Sequence, residues 1–237
     1  MAIPKVIHQI FFDIGKGKSY KNIPDFVSGH NKTKEFCVEY GIQLKFWEQK
    51  DVEELLNSSY PEFVELWGDF REPIQRVDFA RYMILHSEGG IYLDLDVHPM
   101  KDISELWEKE FFFVRWNNDT KPYNAILGTE AGTHLYEDIM NHSRDSTYEK
   151  QDMEIYNTWI GRLVFQTTGH HMLNRVLKKN KIQEILNIVS ICNSVKHLYV
   201  CSPDSLFYDT NTSAWYEEKK SRSWATDDVS NDKMGEV

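Results

Sequence analysis

The sequence predicts an α/β protein: one domain with a central, mostly parallel sheet flanked by helices. Three observations predict it. Short runs rich in β-branched and aromatic residues alternate with helical stretches, glycine and proline punctuate the junctions, and no segment recurs at a fixed period. At 237 residues the chain is long enough for one full core, and size favours one domain over two.

The elements follow in order. Val6-Ile7-His8-Gln9-Ile10-Phe11-Phe12 stands behind Pro4 and ahead of the turn-forming residues 13–17, which suits a buried first strand. Pro24 opens a helix over about 24–39, and Ile42 to Trp47 alternates apolar with polar side chains as a second strand does. Helical stretches at about 51–57 and 61–69 precede a longer one from Pro73 to about Ser87, with proline at a plausible first helical position. Gly89-Gly90 stops that helix, and Ile91 to Val97 reads as a strand closed by Pro99. Phe111–Val114 and Tyr123–Leu127 read as strands, and about 153–165 and 170–190 as helices. The sequence is mostly polar from Lys219, so the expected division is a folded domain over 1–218 and a polar tail or lid over 219–237.

Composition narrows the function. A formal net charge of −10 argues against a nucleic-acid partner, because phosphate backbones require clustered Lys and Arg. Cys37, Cys192 and Cys201 are odd in number and lack a C-x-x-C spacing, which points away from a disulfide framework and toward a reducing compartment. The apolar run within residues 1–12 is interrupted by Pro4, Lys5, His8 and Gln9, too short and too polar for a membrane span. The expectation is a cytoplasmic or otherwise soluble intracellular protein, with viral and bacterial sources equally compatible.

The chemistry centres on Arg76 to Val97, RVDFARYMILHSEGGIYLDLDV. With 17 Asp residues, about one D-x-D is expected by chance, so Asp94-Leu95-Asp96 gains weight only from its surroundings. On a strand, residues two apart share a face, so Asp94 and Asp96 are expected to project together between the apolar Leu93, Leu95 and Val97. Two like charges at the end of a buried strand are costly unless a cation sits between them, and oxygen-only ligation suits Mn²⁺ or Mg²⁺ with phosphate oxygens completing the shell. In the preceding helix, Ile74, Val77, Ile84 and Leu85 form an apolar stripe, and Asp78 and Arg81 fall within about 40° of its members. An i, i+3 ion pair accounts for them structurally. Alternatively Asp78 accepts hydrogen bonds from a sugar hydroxyl while the Arg81 fork engages sugar or phosphate, a reading favoured by the nearby Asp94/Asp96 pair. His170-His171 lack metal-ligand spacing, and Gly15-x-Gly17 is too short for a dinucleotide fingerprint.

The stretch from Asp78 through Asp96, D-x-x-R followed by G-G-I-Y-L-D-L-D-V, resembles the sugar-binding D-x-D region of glycosyltransferase family 32, the capsular polysaccharide transferases and the clostridial glucosylating toxins. Ile3 to Phe12 is similar to that family's first strand. Fainter likenesses lie at Phe46-Trp47, Asn124-Ala125, Thr168-Gly169 and Ser223-Trp224. The resemblance implies the GT-A fold and a metal-dependent hexosyltransferase using a UDP- or GDP-sugar donor and a glycan or other hydroxyl acceptor, as in polysaccharide biosynthesis, with retention of configuration. It also implies roles by position. Phe11 would stack on the base beside backbone contacts from Gln9 and Ile10; Asp78 and Arg81 would hold ribose and donor sugar; Tyr92 would lie beside the nucleotide; Asp94 and Asp96 would bind the metal and, with Arg81, act in catalysis. Asn124, Gly169 and Trp224 are candidates for the donor and acceptor rim. The family's Tyr-Ala-x-His is absent, and Ala214-Trp215 stands near its place, so the third metal ligand is left among Glu218, Ser223 and solvent. Paired carboxylates also suit a metal-dependent phosphatase or nucleotide hydrolase, or a sugar-nucleotide-binding module with a degenerate site.

Overall fold

The computed structural model describes residues 2–12, 19–115, 122–150, 153, 160–182, 191–195, 198–200 and 206–210. The expected boundary between 218 and 219, with Glu218, Ser223 and Trp224, lies outside them. The chain runs β1 (Val6–Phe11), α1 (Pro24–Tyr40), β2 (Gln43–Glu48), α2 (Gln49–Ser59), α3 (Val64–Asp69), α4 (Pro73–Glu88), β3 (Gly90–Leu93) and β4 (Val97–Pro99). Then follow α5 (Ser104–Trp107), β5 (Phe111–Arg115), β6 (Pro122–Thr129), α6 (His134–Lys150), α7 (Ile160–Thr167), α8 (His170–Lys179), β7 (Ile191–Val195), β8 (Leu198–Val200) and β9 (Phe207–Asp209).

The main sheet has the order β2-β1-β3-β6-β5. β1 pairs in parallel with both β2 and β3, while β6 runs antiparallel to its neighbours β3 and β5, so four of the five strands point one way. Both faces are covered, as a mostly parallel sheet requires. Ile7, Ile91 and Leu93 pack against Phe36 and Cys37 of α1, whereas Ile10, Tyr92 and Leu127 pack beneath Phe79, Tyr82, Met83 and residues of α2, α6 and α8. No helix among the described residues is long and apolar enough to cross a membrane.

The centre of the second layer is α4. Pro73 opens it, and Glu72 and Gln75 close a reciprocal capping box. From Asp78 to Leu85 every residue is buried, so the helix is enclosed on all sides rather than along one stripe; Ile74 and Val77, expected in that stripe, are only partly covered. At Gly90 the chain turns with φ 98°, and a Cβ there would meet Val6 Cγ1 at 2.6 Å, so only glycine lets β3 start against β1.

Two expectations change. Ile91 to Val97 is not one strand: β3 ends at Leu93, Asp94 to Asp96 form a turn closed by Val97 N–H donating to the Asp94 carbonyl at 3.0 Å, and β4 belongs to a second sheet of order β4-β9-β7-β8. Leu93, Leu95 and Val97 imitate strand alternation because all three are buried, but through the turn they are buried by different neighbours. Helix α6 is an addition to the expected elements: its apolar face holds Leu135, Tyr136, Ile139 and Met140 but then continues as Ser143, Ser146 and Thr147, buried hydroxyl residues that blur the helical period. Helix α7 is described only from Ile160, and α8 gives way at Asn180 to Lys181 with φ 57°, ahead of residues outside the description.

Candidate active site

The site is built on α4 and on the end of β3. Asp78 and Arg81 sit one turn apart on α4, and Arg81 Nη2 donates to Asp78 Oδ1 at 2.8 Å. The same Arg81 nitrogen lies 3.5 Å from Asp94 Oδ1, and Nη1 donates to the Asn124 carbonyl on β6. Its guanidinium covers the Tyr92 ring at 4.7 Å from the centroid, and the Tyr92 hydroxyl donates to Asp94 Oδ1 at 2.5 Å. Five of the sequence-predicted residues, Asp78, Arg81, Tyr92, Asp94 and Asn124, therefore form one contiguous array. The expected ion pair between Asp78 and Arg81 is present, and it reaches on to Asp94 at the end of β3.

Asp78 also accepts from Asn124 Nδ2 at 3.1 Å and from Thr168 Oγ1 at 3.0 Å. Burial raises its carboxyl to about 6, with Asp94 adding to the rise, while Arg81 and the hydrogen bonds of Thr168 and Asn124 act the other way. Burial works against the Arg81 charge, but Asp94, Tyr92 and Asp78 together outweigh it and hold the guanidinium protonated. Arg81 Nε has no partner among the described residues. A buried array with an open guanidinium donor suits an anionic or hydroxylated ligand.

The D-L-D turn is gripped from three sides. Asp94 N–H donates to the Ala125 carbonyl of β6 at 2.9 Å, and Thr210, just beyond β9, donates its N–H to the Asp96 carbonyl at 3.1 Å. From the third side, α1 presses against the turn at Gly29, where a Cβ would lie 2.1 Å from the Leu95 carbonyl oxygen, and Thr33 Oγ1 donates to the Val97 carbonyl at 3.3 Å. Asp209, fully buried opposite Val97, accepts from the Tyr123 hydroxyl at 2.7 Å. Burial, with the charges of Asp209, Asp96 and Asp94, pushes the Tyr123 phenol well above its usual range. Gly29, Thr33, Tyr123, Asp209 and Thr210 escaped the sequence reading, because their contacts to the turn span from about 30 to over 100 positions and leave no local pattern.

β1 and β3 are parallel neighbours, so Gln9 to Phe11 end beside the turn. The Gln9 side chain is fully buried; its Oε1 accepts from His30 Nδ1 at 2.8 Å, and Nε2 has no partner among the described residues. The Ile10 side chain belongs to the core, so only its backbone is left to a ligand, as expected. Phe11 is half-buried, its ring edge-on to Tyr20 at 5.7 Å, and Tyr20 in turn contacts His30 and Phe46 at 5.6 and 5.1 Å. These rings give the end of β1 an aromatic wall of the kind that stacks on bases; Tyr20 and His30 were not foreseen.

The donor set fits a hard divalent cation in part. Among the described residues both contacts to the Asp94 carboxylate fall on Oδ1, leaving Oδ2 for a ligand, and Asp94 is the more open of the acids, with its side chain 31% exposed. Among the described residues no set of three His, Cys, Asp or Glu side chains is arranged around one point, so the ligands these residues offer are the two carboxylates.

Residues 18–113 match the family described as "Glycosyltransferase sugar-binding region containing DXD motif". An uncharacterized glycosyltransferase, L373, of Acanthamoeba polyphaga mimivirus is 27% identical over 226 residues, covering 90% of this chain and 84% of that protein. Inositol phosphoceramide mannosyltransferase 1 of Schizosaccharomyces pombe is 32% identical over 150 residues, covering 60% of this chain and 43% of its own length; the chain thus spans less than half of that relative. The PaToxG glycosyltransferase structure superimposes with a TM-score of 0.52 at 17% identity, covering 76% of this chain and 70% of that one, which supports the GT-A fold.

Proposed function

We propose that the chain is a glycosyltransferase of the kind that carries the DXD sugar-binding region, moving a hexose from a UDP- or GDP-sugar to a hydroxyl acceptor in a metal-dependent, retaining reaction. One observation carries this reading: Arg81 joins the buried Asp78 on α4 to the more open Asp94 at the end of β3, so the acid proposed for the sugar, a guanidinium and the acid proposed for the metal share one array. Mannose, the sugar in the name of the S. pombe relative, makes GDP-mannose the first donor to try. The acceptor class is a glycan or a comparable polyol headgroup. Sparse cysteines, with Cys37 free and buried, support a reducing intracellular setting.

Asp94 Oδ2 and Asp96 would hold Mn²⁺ or Mg²⁺, with Glu218, Ser223 or solvent completing the ligands. Once bound, the cation supplies neutralising charge for the departing diphosphate. The chain's own residues do the rest. Arg81, fixed by four partners, stabilises negative charge that grows on the leaving group without having to reorganise. Asp78 accepts from a donor-sugar hydroxyl through its remaining lone pair and sets the sugar's orientation. The aromatic wall at Phe11 takes the base, the Asn124 amide keeps Asp78 and Arg81 in register, and Gly169 and Trp224 belong to the rim that admits the acceptor.

The test is a thermal-shift and hydrolysis panel of UDP- and GDP-sugars with Mn²⁺, with Mg²⁺ and with chelator. The expected result is stabilisation and turnover only with metal, both lost in Asp94→Asn and Asp96→Asn variants that still fold. Equal shifts in chelator, or full turnover by either variant, would remove the D-L-D turn from the mechanism.

A further inference from the structure

The Asp78 carboxylate is held by three donors, and they are unevenly placed. Arg81 and Asn124 both address Oδ1, at 2.8 and 3.1 Å, whereas Oδ2 has Thr168 Oγ1 at 3.0 Å. A carboxylate held through one oxygen can still swing about its Cβ–Cγ bond; a donor on the second oxygen fixes the plane. Thr168 lies fully buried in the turn between α7 and α8, 90 positions along the chain from Asp78. That turn is fastened to α4 beside Asp78 by the Tyr82 hydroxyl, which donates to the Thr168 carbonyl at 2.8 Å one helical turn beyond Asp78. The Thr168 hydroxyl therefore has little freedom of its own.

Building on the donor-sugar role given to Asp78 above, we propose that Thr168 is a positioning residue for donor binding: its hydroxyl fixes the Asp78 carboxylate so that one lone pair of Oδ2 faces the sugar. Its hydrogen bond also favours the ionised carboxylate against the burial that raises it.

The neighbouring Thr167 supplies a matched control. Both threonines are fully buried, both stand at the end of α7, and both donate to the carbonyl four residues back, Thr167 to Leu163 at 2.8 Å and Thr168 to Val164 at 3.3 Å. Only Thr168 touches Asp78. Full-length wild type, Thr168→Val, Thr168→Ser and Thr167→Val are compared for melting temperature and for KM and kcat, using GDP-mannose and UDP-glucose with Mn²⁺ as probes. Thr168→Val is expected to raise donor KM about tenfold or more, the size of one hydrogen bond to a charged group. Thr168→Ser should restore KM to about the wild-type value, and Thr167→Val should lower the melting temperature comparably while leaving donor KM in place. Should Thr168→Val fail to fold, Thr168→Cys, a weak donor close in size to serine, is read against Thr168→Ser for the same difference. Equal donor KM in Thr168→Val and Thr167→Val, or no rescue by serine, overturns the positioning role alone. A wild type that binds and turns over no nucleoside-diphosphate sugar overturns the donor reading and this inference with it.

Discussion

Gly29→Ala is the substitution in which helix propensity and the site make opposite demands. Gly29 lies in the interior of α1, where alanine is worth about 1 kcal/mol more than glycine, so on local grounds the change stabilises. In place, the new Cβ would sit 2.1 Å from the Leu95 carbonyl oxygen and 3.1 Å from Asp96 Cα, against a practical limit of 3.0 Å. Relief requires at least 0.9 Å of movement (3.0 minus 2.1), and the obstructing atoms are backbone that cannot rotate away. Overpacking of this kind costs about 1–3 kcal/mol, which equals or exceeds the propensity gain. The larger effect is on function, because the displaced segment carries Asp94 and Asp96, and a displacement of about 1 Å at a reacting centre costs on the order of 100-fold in rate. The measurement pairs thermal melting with metal-dependent donor hydrolysis, and Gly68→Ala in α3, where a Cβ meets nothing within 4 Å, is the control. Gly68→Ala should keep full activity. A Gly29→Ala protein with wild-type turnover would show that the contact between α1 and the D-L-D turn does not set the site's geometry.

Further outcomes follow from the same contacts. Arg81→Lys keeps the charge but loses the fork that reaches Asp78, Asp94 and Asn124 together, so donor kcat/KM should fall about tenfold or more; unchanged kinetics would reduce the arginine to an ion pair. Tyr92→Phe removes the hydrogen bond to Asp94 Oδ1 and should raise the Mn²⁺ concentration needed for half-maximal thermal stabilisation by about tenfold, and an unchanged titration would dissociate Tyr92 from Asp94. Stability should fall on acidification. Burial lowers His8 and His98 to about 4 from the usual 6.5, so each contributes stability that is present above pH 6.5 and lost as pH falls toward 4, about 3 kcal/mol apiece at most. Asp78, raised to about 6, acts oppositely between pH 6 and about 4, but one carboxyl against two imidazoles leaves a net loss. Urea midpoints that stay level from pH 7 to 4.5 would contradict this.

How much of this was legible in the sequence depended on the distance over which each contact acts. The α4–β3 unit is local: capping, the paired glycines and the D-x-x-R to D-L-D spacing lie within 25 consecutive residues, and they brought Asp78, Arg81, Tyr92 and Asp94 together as expected. The sheet was legible because its strands are short buried runs bounded by glycine and proline. The strand assignment for Asp94 and Asp96 failed because alternating burial and alternating strand faces give the same pattern. The second sheet was invisible: β4 and β9 are each three residues long and paired across more than 100 positions, too short to show a period. Thr168 and Asn124 were noticed only as likenesses, since a hydrogen bond to a carboxylate on another element leaves no trace in the neighbouring residues.

The turn between the two sheets explains why acids can be placed there at all. A buried turn must satisfy its backbone groups, and this one does so through different elements: Asp94 N–H bonds β6, the Asp94 carbonyl accepts from Val97, and the Asp96 carbonyl accepts from Thr210. Because these bonds use main-chain atoms, the backbone that carries both acids is fixed without drawing on their carboxylates. Continuing β3 in line would have kept both residues on a regular ladder without the grip of α1 and β9. Ending it at Leu93 instead joins the acids to the N-terminal helix on one side and to the C-terminal strand on the other. The geometry of the carboxylates therefore depends on contacts from both ends of the chain, and changes in β9, remote in sequence, should reach the site through Thr210 and Asp209 as directly as changes beside the motif.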